Sequence, residues 1–243
     1  NIIIREIDLL TSEDGDQGFF EVRLTSRPDS PVTVSFSSSN MNEGNILPEI
    51  TFDPSNWSDP QLVYATGVDD FPPVTDGPQD YDITVSNVFS LDLNYGTIDP
   101  NAFDPITFTN QDNDSPAVIV KVMNDDYTTS EDLESIIIGF KLTSEPLSWV
   151  DIPLSIGSNS DEVNLGDNKV RIEKENWDDF ALNQVTLTGI DDPIIDGNQT
   201  FEFITGNPTS LDLFYGVLNA DDVADINLVN QDNDFPFLNI SEP

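Results

Sequence analysis

Hydrophobic and polar residues alternate along most of the chain, which is the pattern of half-buried β-strands. Phe20, Val22 and Leu24 face one side of a predicted strand, and residues 138–142 repeat this register later in the chain. In the first half, the pattern predicts strands at 2–10, 18–25, 32–37, 49–53, 61–67, 81–88 and 106–110. No segment shows a sustained helical period. Seven alternating strands within 114 residues predict a Greek-key, immunoglobulin-like β-sandwich.

The chain repeats itself once, which predicts two tandem seven-stranded sandwiches. The offset between the halves is 118 residues at Glu131 and 120 at Asn230, because the loops differ slightly in length. The matched motifs are Thr-Ser-Glu-Asp (11–14 and 129–132), Asn-Trp (56–57 and 176–177), Asp-Asp (69–70 and 191–192), Asp-Gly (76–77 and 196–197), Ser-Leu-Asp-Leu (90–93 and 210–213) and Asn-Gln-Asp-Asn-Asp (110–114 and 230–234). We therefore expect one module at 1–114, a second at 115–234, and at 235–243 the start of a third module or a tail.

Composition narrows the chemistry that these modules can perform. The chain has 46 acidic and 8 basic residues, a net charge of −38, and neither cysteine nor histidine. Disulfides, Cys/His zinc sites and histidine-based catalysis are therefore excluded. Such a charge opposes binding to nucleic acid and to anionic lipid, so neither is an expected partner. The apolar runs are too short for membrane insertion.

The repeated acids are expected to converge at one end of each sandwich. In an antiparallel sandwich the chain reverses at every strand, so the first, third, fifth and seventh strands end at the same pole. Glu13 follows the first strand, Asp69, Asp70 and Asp76 follow the fifth, and Asp112 and Asp114 follow the seventh. Carboxylates held close together raise one another's pKa unless a cation neutralises them. A loop-built cage of oxygen ligands favours Ca²⁺ over Mg²⁺.

These motifs resemble Calx-beta modules, the calcium-binding sandwiches named from sodium–calcium exchangers, and in particular the variant in long bacterial extracellular repeat proteins. The resemblance covers both modules over nearly their whole length. It implies calcium ligands at Glu13, Asp69, Asp70, Asp76, Asp112, Asp114, Glu131, Asp191, Asp192, Asp196, Asp232 and Asp234.

The chain departs from the exchanger pattern at several positions. Gln79 and Gln199 stand where the exchanger-type loop carries a second glutamate, which implies fewer ions in each site. The Gly-x-Asp-Tyr motif near the fourth strand is missing, and Glu43 or Glu162 is a candidate replacement. Leu133 stands where the first module has a glycine, so we expect a differently shaped loop there.

The resemblance implies a calcium-rigidified structural spacer in a large extracellular or cell-surface, adhesin-like protein. Its partners would be calcium ions, neighbouring modules of the same chain, and a cell-surface or matrix target of the parent protein. We expect no enzymatic activity, because identical acid clusters in both modules suit an array better than a glycosidase cleft. Two alternatives stay open, a calcium-sensing regulatory module and a carbohydrate-binding module. Trp57 and Trp177 are interpreted as core packing, and Asp92 and Asp212 as turn residues.

Overall fold

The computed structural model describes residues 1–236, and this part of the chain is built from β-strands with a few short helical turns. Two compact units divide the chain, unit 1 (Asn1–Asp114) and unit 2 (Ser115–Pro243). Among the described residues, no helix is both long and apolar enough to cross a bilayer. The matched strand proposed for a third module lies, from residue 237 onward, outside the described residues.

Unit 1 contains two sheets. Its strands are β1 (Ile2–Asp8), β2 (Leu10–Ser12), β3 (Gln17–Leu24), β4 (Val32–Ser38), β5 (Gly44–Ile46), β6 (Glu49–Phe52), β7 (Gln61–Gly67), β8 (Gln79–Ser90) and β9 (Ile106–Gln111). The sheet orders are β1-β3-β7-β5 and β2-β9-β8-β4-β6. A four-residue helix, α1 (Leu93–Gly96), and a 3₁₀ turn (Pro100–Ala102) lie between β8 and β9.

The prediction of a single first strand at 2–10 is wrong. The register shifts between Glu6 and Asp8, and the Asp8 carboxylate accepts the Leu10 N–H at 3.2 Å at a corner. The chain then changes sheets: β1 pairs antiparallel with β3, whereas β2 pairs in parallel with β9. The corner inverts the predicted alternation, since Leu10 is 58% exposed and Thr11 is buried. The three-residue strand β5, which was not predicted, is too short to show an alternating pattern.

Unit 2 has the same arrangement of two sheets within residues 115–236. Its strands are β10 (Val118–Val122), β11 (Thr128–Ser130), β12 (Ser135–Leu142), β13 (Val150–Ile156), β14 (Val163–Leu165), β15 (Lys169–Ile172), β16 (Gln184–Gly189), β17 (Gln199–Thr205), β18 (Thr209–Ser210) and β19 (Ile226–Gln231). The sheet orders are β10-β12-β16-β14 and β11-β19-β17-β13-β15, with β18 paired to β13. Its 3₁₀ turns are Lys174–Asn176, Tyr215–Val217 and Ala220–Asp222.

Each unit encloses one hydrophobic core between its two sheets. In unit 1, Phe20 of β3 meets Phe108 of β9 with ring centroids 6.3 Å apart, and both side chains are fully buried. In unit 2, Phe140 of β12 and Phe203 of β17 meet in the core with ring centroids 6.3 Å apart. The alternating residues predicted to face inward therefore do so, and each unit is a β-sandwich. The assignment of these sandwiches to the Greek-key class stays a prediction.

The repeated tryptophans serve as packing residues. Trp57 and Trp177 are each partly buried against the core of their own unit, which confirms the interpretation as core packing.

The repeated tyrosines are almost completely buried, and each ties a loop to the core. Tyr95 donates its hydroxyl to the Ser26 carbonyl at 2.6 Å, and Tyr215 makes the matching bond at 2.9 Å.

Candidate metal centre

The parallel pairing of β2 with β9 brings the first acids of unit 1 together. Ser12 is paired with Gln111, so the two strands end at the same edge of the sheet. Glu13 directly follows the end of β2, and Asp112 directly follows the end of β9. The Glu13 N–H donates to the Gln111 carbonyl at 3.0 Å, which extends the pairing by one step. The acids that follow these strands are therefore neighbours by construction.

Glu13, Asp112 and Asp114, which we call the strand trio of unit 1, each offer a carboxylate oxygen within 4.8 Å of the other two. The Asn113 N–H donates to Glu13 Oε2 at 3.0 Å, and the Asp114 N–H donates to Asp112 Oδ1 at 2.7 Å. The Asn113 side chain reaches outward to Asp14 Oδ1 at 3.0 Å. This alternation leaves both aspartates of the Asp-Asn-Asp segment on the side of Glu13.

A second group, the loop trio of unit 1, consists of Glu13, Asp70 and Asp76, again within 4.8 Å of one another. Asp70 and Asp76 lie in the acidic loop of unit 1, residues 68–78 between β7 and β8. The Asp76 and Gly77 N–H groups both donate to Asp112 Oδ2, at 3.0 and 2.6 Å. Glu13 is thus common to both trios, and Asp112 holds the loop in place.

The electrostatics of unit 1 disfavour the ionised, metal-free state. Desolvation by burial, reinforced by the charges of Asp112, Asp70 and Asp114, raises the pKa of Glu13 to about 7 despite the N–H bond from Asn113. Desolvation and the neighbouring Asp76 raise the pKa of Asp70 to about 6. Burial likewise raises the pKa of Asp76 and of Asp114. These carboxylates lack a compensating positive charge among the described residues.

Unit 2 repeats the strand trio with Glu131, Asp232 and Asp234, whose carboxylate oxygens lie within 4.8 Å of one another. Parallel pairing of β11 with β19 again places the acids at one edge, and the Glu131 N–H donates to the Gln231 carbonyl at 3.1 Å. The Asn233 N–H donates to Glu131 Oε2 at 2.9 Å, and the Asp234 N–H to Asp232 Oδ1 at 2.7 Å. The geometry matches that of unit 1 bond for bond.

The pKa values in unit 2 shift in the same direction. The hydrogen bond from Asn233 lowers the pKa of Glu131, but desolvation and the charges of Asp232 and Asp192 outweigh it, so the net shift is upward. Desolvation and then Asp232 raise the pKa of Asp234. Both strand trios therefore concentrate negative charge that their own unit does not neutralise.

The structure brings together eight of the twelve predicted ligands, and the other four lie beside the trios. Asp69 is close enough to raise the pKa of Asp114. The charges of the remaining three, Asp191, Asp192 and Asp196, raise the pKa of Asp234. Asp192 also accepts the Ile194 N–H at 2.7 Å, a bond within its own loop.

Gln79, Gln199 and Leu133, where the chain departs from the exchanger pattern, form hydrogen bonds within their own turns. The Gln79 and Gln199 amides donate to the carbonyls of their Asp-Gly turns and brace the acidic loops. The expected difference at Leu133 is wrong. It has a positive φ of 65°, as Gly15 has 84°, and both N–H groups close the same turn.

Asp92 and Asp212 are turn residues, as interpreted from the sequence. The Asp92 carboxylate accepts the N–H groups of Asn94 and Asp29 at 2.9 and 2.8 Å. The Asp212 carboxylate accepts those of Phe214 and Leu147 at 2.8 and 2.7 Å. Each of these carboxylates has a donor for both oxygens, whereas Asp76, Asp114 and Asp234 each keep one buried oxygen without a donor.

The donor set fits a calcium ion. Three carboxylate oxygens, on Asp76 (Oδ1), Asp114 (Oδ2) and Asp234 (Oδ2), are buried without a hydrogen-bond partner. A buried anionic oxygen without a donor is costly, and a bound cation removes that cost. The chain offers only oxygen ligands, which suits Ca²⁺.

Sequence reasoning missed the residues that organise the trios from behind. Asn110 and Asn230 are 1% exposed, and each reaches a buried glutamate, Glu43 or Glu162, whose role the sequence left open. The signal was present, because both asparagines open the repeated Asn-Gln-Asp-Asn-Asp motif.

No family model matches the chain, and neither does any curated protein sequence. Among solved structures, the chain is similar to CBD12 from CALX1.2, at 14% identity and a TM-score of 0.31 over 84% of this chain and 79% of that one. It is similar to the calcium-binding domain CBD12 of CALX1.1, at 12% identity and a TM-score of 0.30 over 82% and 77%. It also matches the periplasmic chaperone SfaE, at 8% identity and a TM-score of 0.34 over 96% and 98%. At these scores the similarities do not discriminate between functions.

Proposed function

We propose that this chain is a calcium-binding spacer segment in which each sandwich binds Ca²⁺ at its acidic end. The observation that carries the proposal is the strand trio, built identically in both units with a buried carboxylate oxygen that has no donor. Glu13, Asp112 and Asp114 would hold one ion in unit 1, and Glu131, Asp232 and Asp234 would hold one in unit 2. The loop trio would hold a second ion in unit 1.

The bound ion would supply the positive charge that these ends lack. The raised pKa values of Glu13 and Asp70 show how strongly the metal-free ends resist full ionisation. Metal binding releases the bound protons and converts mutual repulsion into shared attraction to one ion. The ligands come from two strand ends and one loop, so an ion would also tie these segments together.

The positions of the ligands in the chain support the spacer role. Asp114 is the last residue of unit 1, and Ser115 begins unit 2. An ion that binds Asp114 would fix the backbone at the end of unit 1 and stiffen the connection to the next unit. The proposal places the chain outside the cell or on its surface, where calcium modules bind at roughly 10⁻⁴–10⁻³ M. A charge of −38 would keep such an array strongly anionic even with calcium bound.

Thermal unfolding of chelator-stripped protein, titrated in parallel with CaCl₂ and MgCl₂, tests the calcium proposal. A ligand that binds only the folded state raises the free energy of unfolding by about 1.4 kcal/mol per site at a concentration tenfold above its Kd. We expect a large rise in Tm that is specific for calcium and saturates at millimolar concentrations. Equal, shallow rises with both ions, matched by NaCl at the same ionic strength, would mean simple charge screening and would overturn the proposal.

Small-angle scattering with calcium and with chelator tests the spacer role separately. We expect a narrower distribution of chain dimensions with calcium bound. An unchanged distribution despite saturating calcium would leave a calcium-binding protein that is not a spacer. Saturation at micromolar calcium in the thermal experiment would instead identify a sensor.

A further inference from the structure

A buried hydrogen-bond chain lies behind the acidic end of unit 1. Thr11 donates its hydroxyl to Asn110 Oδ1 at 3.1 Å, and Asn110 Nδ2 donates to the Val68 carbonyl at 3.0 Å and to Glu43 Oε2 at 3.4 Å. Thr11 and Asn110 are each 1% exposed, and Glu43 is 9% exposed. The oxygen and both N–H groups of the Asn110 amide are therefore used, which fixes its orientation.

Unit 2 has the same series of buried hydrogen bonds, made by the matching residues of its own sequence. Thr129 donates to Asn230 Oδ1 at 2.9 Å, and Asn230 Nδ2 donates to the Ile190 carbonyl and to Glu162 Oε2, both at 3.2 Å. Glu162 is 8% exposed. The bonds join the same elements as in unit 1, namely the parallel strand pair, the buried glutamate and the first residue of the acidic loop.

The surrounding backbone is shaped to admit the asparagine. A Cβ at Gly67 would overlap Asn110 Oδ1 and the Ser12 carbonyl. Gly189 stands in the same relation to Asn230 in unit 2. A larger residue at either position would displace the asparagine and break its hydrogen bonds. Glycine therefore occupies the last position of β7 and of β16.

The asparagine also controls the loop that carries the acids. Val68 donates its N–H to the Glu43 carbonyl at 3.1 Å while its own carbonyl accepts from Asn110. Val68 is thus held on both sides, directly before Asp69 and Asp70. The Glu43 carboxylate lies near enough to Asp70 to raise the pKa of that carboxyl.

We propose that Asn110 and Asn230 are positioning residues of the cation-binding ends of the two units, each holding a buried glutamate, Glu43 or Glu162, against the acidic loop. The proposal rests on the calcium binding proposed above. Each asparagine neither binds the ion nor belongs to a trio. It fixes the direction of an additional negative charge and the starting point of the loop, so the site exists before the ion arrives.

Calcium titrations of the full chain labelled with ¹⁵N-glycine give a readout specific to each unit. The Gly77 N–H donates to Asp112 Oδ2 at 2.6 Å, and the Gly197 N–H donates to Asp232 Oδ2 at 2.7 Å, so each resonance reports on the acidic end of one unit. We expect Asn110→Ala to raise the calcium concentration at the midpoint of the Gly77 titration by about 10–100-fold. The midpoint of the Gly197 titration should not change. Asn230→Ala should do the reverse.

Asn183→Ala is the matched control, because it removes another fully buried asparagine of unit 2, whose Nδ2 bonds go to the Asn176 and Asp179 carbonyls outside the acidic end. It should lower the Tm of the metal-free protein without moving the Gly197 midpoint. Glu43→Gln covers the case in which Asn110→Ala does not fold. It keeps an oxygen acceptor for Asn110 but removes the negative charge. It should therefore weaken calcium binding in unit 1, as measured by the Gly77 resonance.

A wild-type Gly77 midpoint in Glu43→Gln, or in a folded Asn110→Ala, would overturn the positioning role. A failure of the calcium proposal looks different. In that case, neither Gly77 nor Gly197 of the unaltered chain would respond to calcium.

Discussion

The acidic ends of the two units carry the same motifs but assemble them differently. Unit 1 forms a strand trio and a loop trio that share Glu13, whereas the described part of unit 2 forms only the strand trio around Glu131. The strand trios are alike because each depends on two parallel strands that end together. The loop trio depends on the length of the acidic loop, which is a separate feature of the sequence.

Loop length accounts for the difference. Five residues, 71–75, separate the Asp-Asp and Asp-Gly motifs in unit 1, but only three, 193–195, separate them in unit 2. The Asp76 N–H of the longer loop donates to Asp112 Oδ2, which draws the loop toward the trio. In the shorter loop the Asp196 N–H donates to the Ile194 carbonyl, and Asp192 accepts the Ile194 N–H. Asp192 therefore bonds within its own turn, while the Gly197 N–H still ties the shorter loop to Asp232 Oδ2 at 2.7 Å.

The largest difference between the units is expected on neutralising the shared glutamate. Glu13→Gln should abolish both ions of unit 1, whereas Glu131→Gln should remove a single ion from unit 2. Glu13→Gln should also raise the Tm of the metal-free protein, because it removes a buried charge whose pKa is raised to about 7. Isothermal titration and melts with and without calcium check both signs. Asp59→Asn serves as an exposed control, and equal calcium losses in the two glutamine variants would contradict the shared-ligand geometry.

Exchanging the loops should convert one unit into the other. Replacing residues 71–75 with the three residues Pro-Ile-Ile of 193–195 should cost unit 1 one calcium ion and leave its strand trio intact. The reciprocal insertion in unit 2 should add one ion. Calcium stoichiometry by titration, with the Gly77 and Gly197 amides as unit-specific reporters, measures both changes. An unchanged stoichiometry in either exchange would show that loop length does not control the second site.

The two units should also differ in how pH affects their metal-free stability. The folded state of unit 1 holds protons on Glu13 and Asp70 with pKa values of about 7 and about 6, above their ordinary values of 4.5 and 3.8. Stability from these protons is present in full below about pH 4 and is lost as the pH rises through about 7. Metal-free unit 1 should therefore melt at a lower temperature at pH 8 than at pH 5.

Calcium should oppose this trend, because it binds the ionised carboxylates. Melts of the chain and of Glu13→Gln, followed across the same pH range, isolate the contribution of Glu13 from the general repulsion of a −38 chain. The variant should show a weaker fall in Tm. Identical pH profiles for the two proteins would contradict the assigned environment of Glu13.

The smallest effect is expected at the turn that follows Glu13 in unit 1 and Glu131 in unit 2. Leu133 adopts a φ of 65°, a conformation that costs a non-glycine residue roughly 1–2 kcal/mol, and its side chain is 63% exposed. Leu133→Gly should therefore stabilise unit 2 by about 1 kcal/mol without changing calcium affinity. Gly15→Leu is the mirror variant and should destabilise unit 1 by a similar amount. A Tm that falls in Leu133→Gly would mean that the leucine makes a compensating contact.

The sequence predicted the features that depend on local pattern. Alternation such as Phe20, Val22 and Leu24 identified the buried faces, and the repeated acids indicated a common pole. The change of sheet at Leu10 was not predictable, because alternation within one strand does not reveal which partner strand will pair with it. Parallel pairing with β9, a contact across about 100 residues of sequence, decides that position.

The candidate site was predicted as a set of acids but not as a geometry. Asp192 and Asp196 match Asp70 and Asp76 in type and order, yet in a loop shorter by two residues the Asp192 carboxylate and the Asp196 N–H both bond to the backbone of Ile194. The repeat marks Asn110 as a repeated residue, but its partners Glu43 and Val68 lie far from it in sequence, so only the structure shows these bonds.

Equilibrium dialysis of the chelator-stripped chain against calcium, in an excess of magnesium, tests the central claim most directly. Residues 1–236 contain three carboxylate trios, so the account predicts three calcium ions per chain that magnesium does not displace. Glu131→Gln should retain two and Glu13→Gln one. Calcium uptake that magnesium displaces in proportion to its charge, or that is the same in all three proteins, would contradict the account and leave only two acidic β-sandwiches.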